Sequence, residues 1–173
     1  KHLLAIVFFL FGFITTTQHQ ATAADMVKDW ERAKAYTKEY LDAMPADKYG
    51  LKPTPEMRSF ADQMLHLTDG NFGIGATAAG IQVPVGMGAS EKSTDKSKEA
   101  VTKQVMDSYD FVIGALKNMK PAQMSESIKL FDRFDLTRSQ AFSKTFEHQT
   151  HHRGQATVYI RLAGATPPAE KLF

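Results

Sequence analysis

The segment FEHQTHHRGQ, residues 146–155, indicates both how this chain folds and where its chemistry lies. It places three of the six histidines within five consecutive positions, inside a longer run, residues 137–163, that is typical of a helix. Thr137 and Gln140 form a capping box at the start of that run, in which each side chain bonds an otherwise unpaired backbone N–H. A glycine and two prolines follow the run and predict its end.

Three further segments place apolar side chains at spacings of three and four residues, which predicts one buried face on each of three helices. They span residues 26–43, 55–79 and 97–119. The apolar positions are Trp30, Ala33, Thr37, Tyr40 and Leu41 in the first, Met57, Phe60, Met64 and Leu65 in the second, and Val101, Val105, Tyr109, Val112 and Leu116 in the third. In the second, Thr54 is expected to be the N-cap and Pro55 the first helical residue.

Long connections separate these helices. Residues 80–96 are rich in Pro, Gly and Ser and predict a loop. The segment after Pro121 has no sustained period, and we expect an irregular connection with room for one short extended piece. With no internal repeat and no alternation of strands and helices, the predicted fold is all-α: a four-helix bundle with long inter-helix loops.

Composition excludes several kinds of chemistry. The chain has 173 residues, the length of one domain, with a net charge of +2 and no cysteine. No run of Lys and Arg suggests a nucleic-acid partner. The lack of cysteine excludes disulfides, thiolate nucleophiles and cysteine-ligated zinc, so catalytic or metal chemistry must use His, carboxylates, hydroxyls or amides.

The N-terminal residues differ from the rest. LLAIVFFLFGFI, residues 3–14, is an apolar run behind Lys1, and a polar stretch and the small residues Ala21-Thr22-Ala23 follow it. This order predicts a signal peptide over residues 1–23, a domain over residues 24–173, and export to the periplasm or the medium. The run is shorter than the about 20 residues of a membrane span, so no stable span is expected after cleavage. An uncleaved N-terminal anchor is the alternative.

Histidine spacing suggests a metal site. Residues four apart lie on one helix face, so His148 and His152 can point at one ion, whereas His151 is turned away from them. Catalytic zinc usually has three protein ligands. His66, on the second predicted helix, is the remaining histidine of the predicted mature domain and the candidate third ligand.

Two carboxylates and two alternatives bear on this interpretation. Asp62 and Asp69 lie about one turn on either side of His66, and either could accept the second ring N–H of that ligand. A buried histidine is also often a core residue with satisfied hydrogen bonds, and a histidine cluster on a surface helix is often simply solvated. The order Glu147, His148, Gln149 does not match the H-E-x-x-H metalloprotease motif.

A family resemblance adds to the spacing. QMLHLTDGNF, HQTHHRGQ and YIRLAGATPP together resemble the DinB/YfiT family of metal-binding four-helix bundles, over most of residues 26–168. The resemblance implies that His66, His148 and His152 bind a divalent metal, with water completing the shell. It also implies a homodimer, since members of the family commonly form one. Characterised relatives include metal-dependent transferases and isomerases that use a low-molecular-weight thiol.

Neighbouring motif residues have structural interpretations. Arg153 is expected to pair with a carboxylate or a helix end, Gly154 to allow close approach of a second helix, and Gln155 to bond within the bundle. Tyr109 and Tyr159 are expected in the core. For His151 we expect a position beside the ligands or in solvent, with replacement of one proposed ligand as the alternative.

Three functions remain open on this evidence. The first is a metal-dependent enzyme, a hydrolase or thiol transferase, acting on an unknown small molecule with an open coordination position. The second is a non-catalytic metal- or ligand-binding bundle, and the third a dimeric helical interaction domain. Glu147 and Asp62 are the only candidates for a general acid or base, and neither is compelling. The lack of a good candidate favours the second function over the first. Zinc or nickel is the expected metal, and cobalt or iron would also suit three imidazoles. Export argues against a thiol co-substrate, because such thiols are kept reduced in the cytoplasm.

Overall fold

Side-chain caps set the starts of four α-helices in this protein. The structure is a computed structural model and describes residues 21–173. The helices are α1 (Ala23–Ala43), α2 (Phe60–Ala79), α3 (Lys98–Lys117) and α4 (Arg138–Leu162). Two short 3₁₀ helices (Ala46–Lys48 and Pro121–Ser125) and two strands, β1 (Ser127–Leu130) and β2 (Phe134–Thr137), lie between them. The capping box predicted at Thr137 and Gln140 is present at the start of α4.

The helices form a bundle in which α2 packs on α3 and α4, and α1 packs on the same two helices. The apolar stripes predicted for α1 and α3 are buried throughout, as are Phe60, Met64 and Leu65 of α2. Tyr109 and Tyr159 also lie in the core, as predicted. The periodicity therefore identified the interior of the bundle.

Two predicted helix starts are wrong. The start of α2 is Phe60, where Ser59 and Asp62 form a capping box, and not Pro55 with Thr54 as its cap. Met57 consequently lies outside the helix and is exposed. The start of α1 is Ala23, three residues before the predicted position, because Thr22 and Asp25 form a capping box there.

The N-terminal prediction falls mostly beyond what the structure describes. Residues 1–20 of the predicted signal peptide lie outside the described residues. From residue 21 onward, no helix is long and apolar enough to cross a membrane.

The segment after Pro121 contains a β-hairpin of two strands, so the prediction of an irregular connection with one short extended piece is wrong. Strands β1 and β2 pair antiparallel, with Leu130 opposite Phe134. The Arg133 N–H donates to the Leu130 carbonyl at 3.2 Å, and Phe131 and Asp132 both have φ of 54°. This is a type I′ turn, which usually carries Asn and Gly. Because Phe131 and Asp132 stand at these positions, the hairpin could not be recognised from sequence.

A buried polar network joins α4 to the opposite side of the bundle. Arg153 donates to Oε1 of Gln149 at 3.0 Å, and its guanidinium lies 4.7 Å from the centre of the Tyr36 ring. The Tyr109 hydroxyl donates to the same Gln149 oxygen at 2.8 Å. Within residues 21–173 Arg153 forms no ion pair, so its predicted carboxylate partner is wrong. The network fixes the rotation of α4 about its own axis.

Candidate metal centre

The three histidines singled out by spacing lie together between α2 and α4. His66 is on α2, and His148 and His152 are on α4. One ring nitrogen from each can be chosen so that all three lie within 4.8 Å of one another. The ring centres of His148 and His152 are 4.4 Å apart, and that of His66 is 4.6 Å from His152. A bundle thus supplies imidazoles from two facing helices.

Glu91 fixes the ring of His66. Its Oε2 lies 3.0 Å from Nδ1 of His66, and its Oε1 accepts from Nε of Arg58 at 2.7 Å. A carboxylate at Nδ1 holds the proton there and leaves the Nε2 lone pair for a metal. The prediction that Asp62 or Asp69 plays this part is wrong, because Glu91 comes from the loop between α2 and α3.

Asp69 acts one step further from the centre, by holding the loop that carries Glu91. Its two carboxylate oxygens accept the backbone N–H groups of Ser90 and Glu91, each at 3.0 Å. The contact of Glu91 with His66 could not be predicted from sequence, because Glu91 lies 25 positions from His66 in a segment without periodicity. Asp69 therefore supports His66 indirectly, through the loop that carries Glu91, and does not contact the histidine ring itself.

Gly70 makes room for His148. It lies four residues after His66 on the same face of α2, and a Cβ built at Gly70 would overlap the imidazole of His148. A Cβ at Gly154, by contrast, would meet no atom within 4 Å, so the close approach predicted there is wrong. The close approach is at Gly70, where α2 faces the ring of a candidate ligand.

His152 is held by an amide. Nδ1 of His152 lies 2.9 Å from the side-chain nitrogen of Gln63, which also contacts Oε1 of Gln155, as expected for a Gln155 bonded within the bundle. His152 can offer Nε2 to a metal when the Gln63 and Gln155 amides both turn, so that the Gln63 oxygen accepts from Nδ1–H of His152 and from the Gln155 amide.

His151 lies beside the three candidate ligands without joining them. It is exposed, and its Nε2 is 2.9 Å from the amide nitrogen of Gln155. Its ring centre is 4.9 Å from that of His152. The position matches the expectation of a residue next to the ligands or in solvent.

Burial keeps the two α4 histidines neutral. It lowers the pKa of His148 to about 4 and that of His152 to about 3, with further lowering by the neighbouring histidines and Arg58. Neutral imidazole is the form that binds metal. Nδ1 of His148 is also buried without a hydrogen-bond partner in the described part of the chain. Three imidazoles, two of them neutral at pH 7, and one unpaired buried nitrogen fit a divalent ion.

Acid is expected to destabilise the metal-free protein. The unfolded chain protonates His148 and His152 near pH 6.5, whereas the folded chain does so only near pH 4 and 3. The unfolded state therefore binds more protons in this window, and stability falls as the pH drops below 6.5. We expect a loss of about 1 to 2 kcal/mol between pH 6.5 and 5, after allowance for partial exposure.

Urea unfolding of the chelated protein at several pH values measures this loss. The range from pH 6.5 to 5 lies above the usual pKa of the carboxylates, so they contribute little there. A variant with both His148→Asn and His152→Asn should show a flatter dependence. An equally steep dependence in that variant would contradict the assignment to these two histidines.

The carboxylates near the centre are all engaged. Glu91 bonds Arg58 and His66, and although its burial opposes ionisation, these bonds hold the pKa of its carboxyl below the usual value. Asp62 is held by the Ser59 cap and by Lys96. Glu147 forms an exposed ion pair with Lys144 at 2.7 Å. Asp62 and Glu147, the predicted acid or base candidates, thus both have partners other than the three histidines.

Comparisons with known proteins agree with this architecture. The model of the DinB family matches residues 16–172. A crystal structure of a DinB-like protein from Bacillus cereus superposes with a TM-score of 0.77 at 18% identity, covering 88% of this chain and 99% of that one. One from Bacillus subtilis gives 0.64 at 20% identity, covering 84% and 95%. Among curated proteins, none matches significantly.

Proposed function

Since the chain belongs to the DinB family, we propose that it binds a divalent metal ion through His66, His148 and His152 and uses it in a hydrolytic or thiol-transfer reaction on a small molecule. The observation that carries the proposal is the convergence of three ring nitrogens, each supplied by a different turn of α2 or α4. Zinc and nickel are the metals we expect first, because both accept imidazole ligands.

The residues around the histidines suit this role. Glu91 orients His66, Gly70 leaves space for His148, and Gln63 contacts His152. A divalent ion held by neutral imidazoles keeps its double positive charge, which acidifies water or a thiol and polarises a carbonyl group. The chain's own contribution is to hold three donors in place before the ion arrives.

Hydrolysis is the reaction to test first. If the signal proposed for residues 1–23 directs export, reduced thiols would be scarce around the mature protein. A homodimer remains a further proposal, since it rests on family resemblance alone.

A non-catalytic metal-binding bundle is the second candidate. The observation that favours it is that the nearby carboxylates Asp62, Glu91 and Glu147 all have hydrogen-bonded or ionic partners. General acid–base catalysis needs a group that can reach the reacting proton. Metal binding with no turnover of ester, amide or thiol-acceptor substrates would support this candidate over the enzyme.

Elemental analysis tests the metal site. The domain would be purified without a histidine tag and without added metal, then analysed before and after incubation with zinc or nickel. We expect close to one ion per chain in the parent and at least a tenfold lower content in His66→Ala, because two imidazoles form an incomplete site.

His151→Ala is the matched control, since His151 is adjacent but makes no part of the three-histidine group. It should retain the parent metal content. Metal absent from the parent after incubation, or retained equally in His66→Ala, would refute the proposed site.

A further inference from the structure

A mainly apolar cavity of about 480 Å³ lies between the β1–β2 hairpin and helices α2 and α4. We name it the hairpin cavity. Its lining residues include Ile74, Leu130, Phe131, Phe134, Leu136 and His148. Because His148 is also a candidate metal ligand, the cavity and the metal centre share a side chain. The volume is within the usual range for small-molecule sites, about 300 to 1,000 Å³.

The hairpin presents two aromatic rings at this cavity. Phe131 is 53% exposed and Phe134 is 49% exposed. Phe131 occupies the left-handed backbone region with φ of 54°, a position where a bulky residue is rare and strained. Strain of this kind concentrates at binding sites, and exposed aromatic pairs gain free energy when a ligand covers them.

Charge at the cavity favours an uncharged occupant. Lys144 and Glu147 line it, and they pair with each other at 2.7 Å. The third polar residue of the lining besides His148 is His151, whose Nε2 lies next to the Gln155 amide. The described lining residues thus offer apolar contact and no unpaired ionic group.

We infer that the hairpin cavity binds an uncharged aryl or alkyl group of a small-molecule substrate whose polar reactive group lies at the three histidines. The second half of this statement rests on the proposed metal function, whereas the first half does not. The apolar side chains of the hairpin cavity select the apolar group of the substrate. His148, which belongs to both the cavity and the three-histidine group, lies where this group meets the reacting end of the substrate.

A neutral fluorescent ketone, 6-propionyl-2-(dimethylamino)naphthalene, tests the apolar part without any metal. Its emission shifts to the blue in an apolar site, so titration of the chelated protein gives an affinity. We expect saturable binding to the parent and about tenfold weaker binding to Phe134→Ser and to Phe131→Ser, because each loses aromatic contact area.

Val158→Ser is the matched control, because Val158 is also 53% exposed but does not line the cavity. It should bind the probe like the parent. Circular dichroism of all three variants verifies that helicity is retained. No saturable binding by the parent, or an affinity as high as the parent's in both phenylalanine variants, would overturn the inference.

Alkyl hydroxamates connect the cavity to the metal. In the zinc-loaded parent, octanohydroxamate should displace the fluorophore at a concentration at least tenfold below that of acetohydroxamate, and the difference should shrink in Phe134→Ser. If zinc does not bind but the fluorophore still does, the cavity stands and the proposed metal function fails. If sedimentation shows instead a dimer that Phe134→Ser dissociates, with no fluorophore bound, a second copy of the chain covers the cavity and the inference is overturned.

Discussion

Gly70→Ala is expected to reduce metal affinity by at least about a hundredfold, although Gly70 itself offers no ligand atom. The new Cβ would overlap the His148 ring, so this imidazole has to leave its place between α2 and α4. Without the His148 imidazole the site keeps only two ligands and is incomplete. Overpacking adds a destabilisation of about 1 to 3 kcal/mol. Metal titration monitored by calorimetry measures the first effect and urea unfolding the second.

Gly73→Ala is the matched control for this experiment. It lies on the same helix, and its Cβ would meet no atom within 4 Å. It should keep full metal affinity and gain up to about 1 kcal/mol of stability, because alanine has the higher helix propensity. Parent-like metal affinity in Gly70→Ala would show that His148 is not a ligand in the position found here.

Metal removal is expected to lower the melting temperature by about 10 °C. A ligand that binds only the native state, present at a thousand times its dissociation constant, stabilises it by about 4 kcal/mol. In a domain of this size each kcal/mol corresponds to about 2 to 4 °C. Differential scanning calorimetry of zinc-loaded and chelated protein measures the shift.

His152→Ala separates the metal effect from any direct effect of the chelator. It should bind no metal, keep its helicity, and melt within a few degrees of the chelated parent at any zinc concentration. If stoichiometric zinc leaves the melting temperature of the parent unchanged, the link between metal binding and folding is contradicted. Equal stabilisation of His152→Ala by zinc would contradict its role as a ligand.

Local patterns in the sequence were sufficient to predict four helices, although not the starts of α1 and α2, and to place His148 and His152 on one face of α4. The Thr137 capping box and the stripes of α1 and α3 involve residues within a few positions of one another, so tertiary packing had little to alter. The pair His148 and His152 follows from one turn of helix in the same way. For α2, two capping signals competed, and the Ser59 box prevailed over Thr54 with its following proline.

Contacts between distant segments could not be predicted. Glu91 reaches His66 from a loop, and no periodicity specifies where a loop residue comes to rest. The close approach lies at Gly70 and not at the predicted Gly154, because it depends on which helix faces which ring, and spacing along one helix does not specify this. The hairpin was missed because Phe131 and Asp132 occupy turn positions that Asn and Gly usually fill.

The way the site is divided between helices has a consequence for the order in which the protein folds. The contacts supporting His66 join residues that are close in sequence, with separations of 21 positions from Asp69 to Ser90 and 25 from His66 to Glu91. The contact between Gln63 and His152 spans 89 residues. Because closing a longer loop costs more entropy, the support around His66 can form while α4 is still undocked. The three proposed ligands come together only after α4 has packed on α2, so metal capture by this site would report that these two helices have docked.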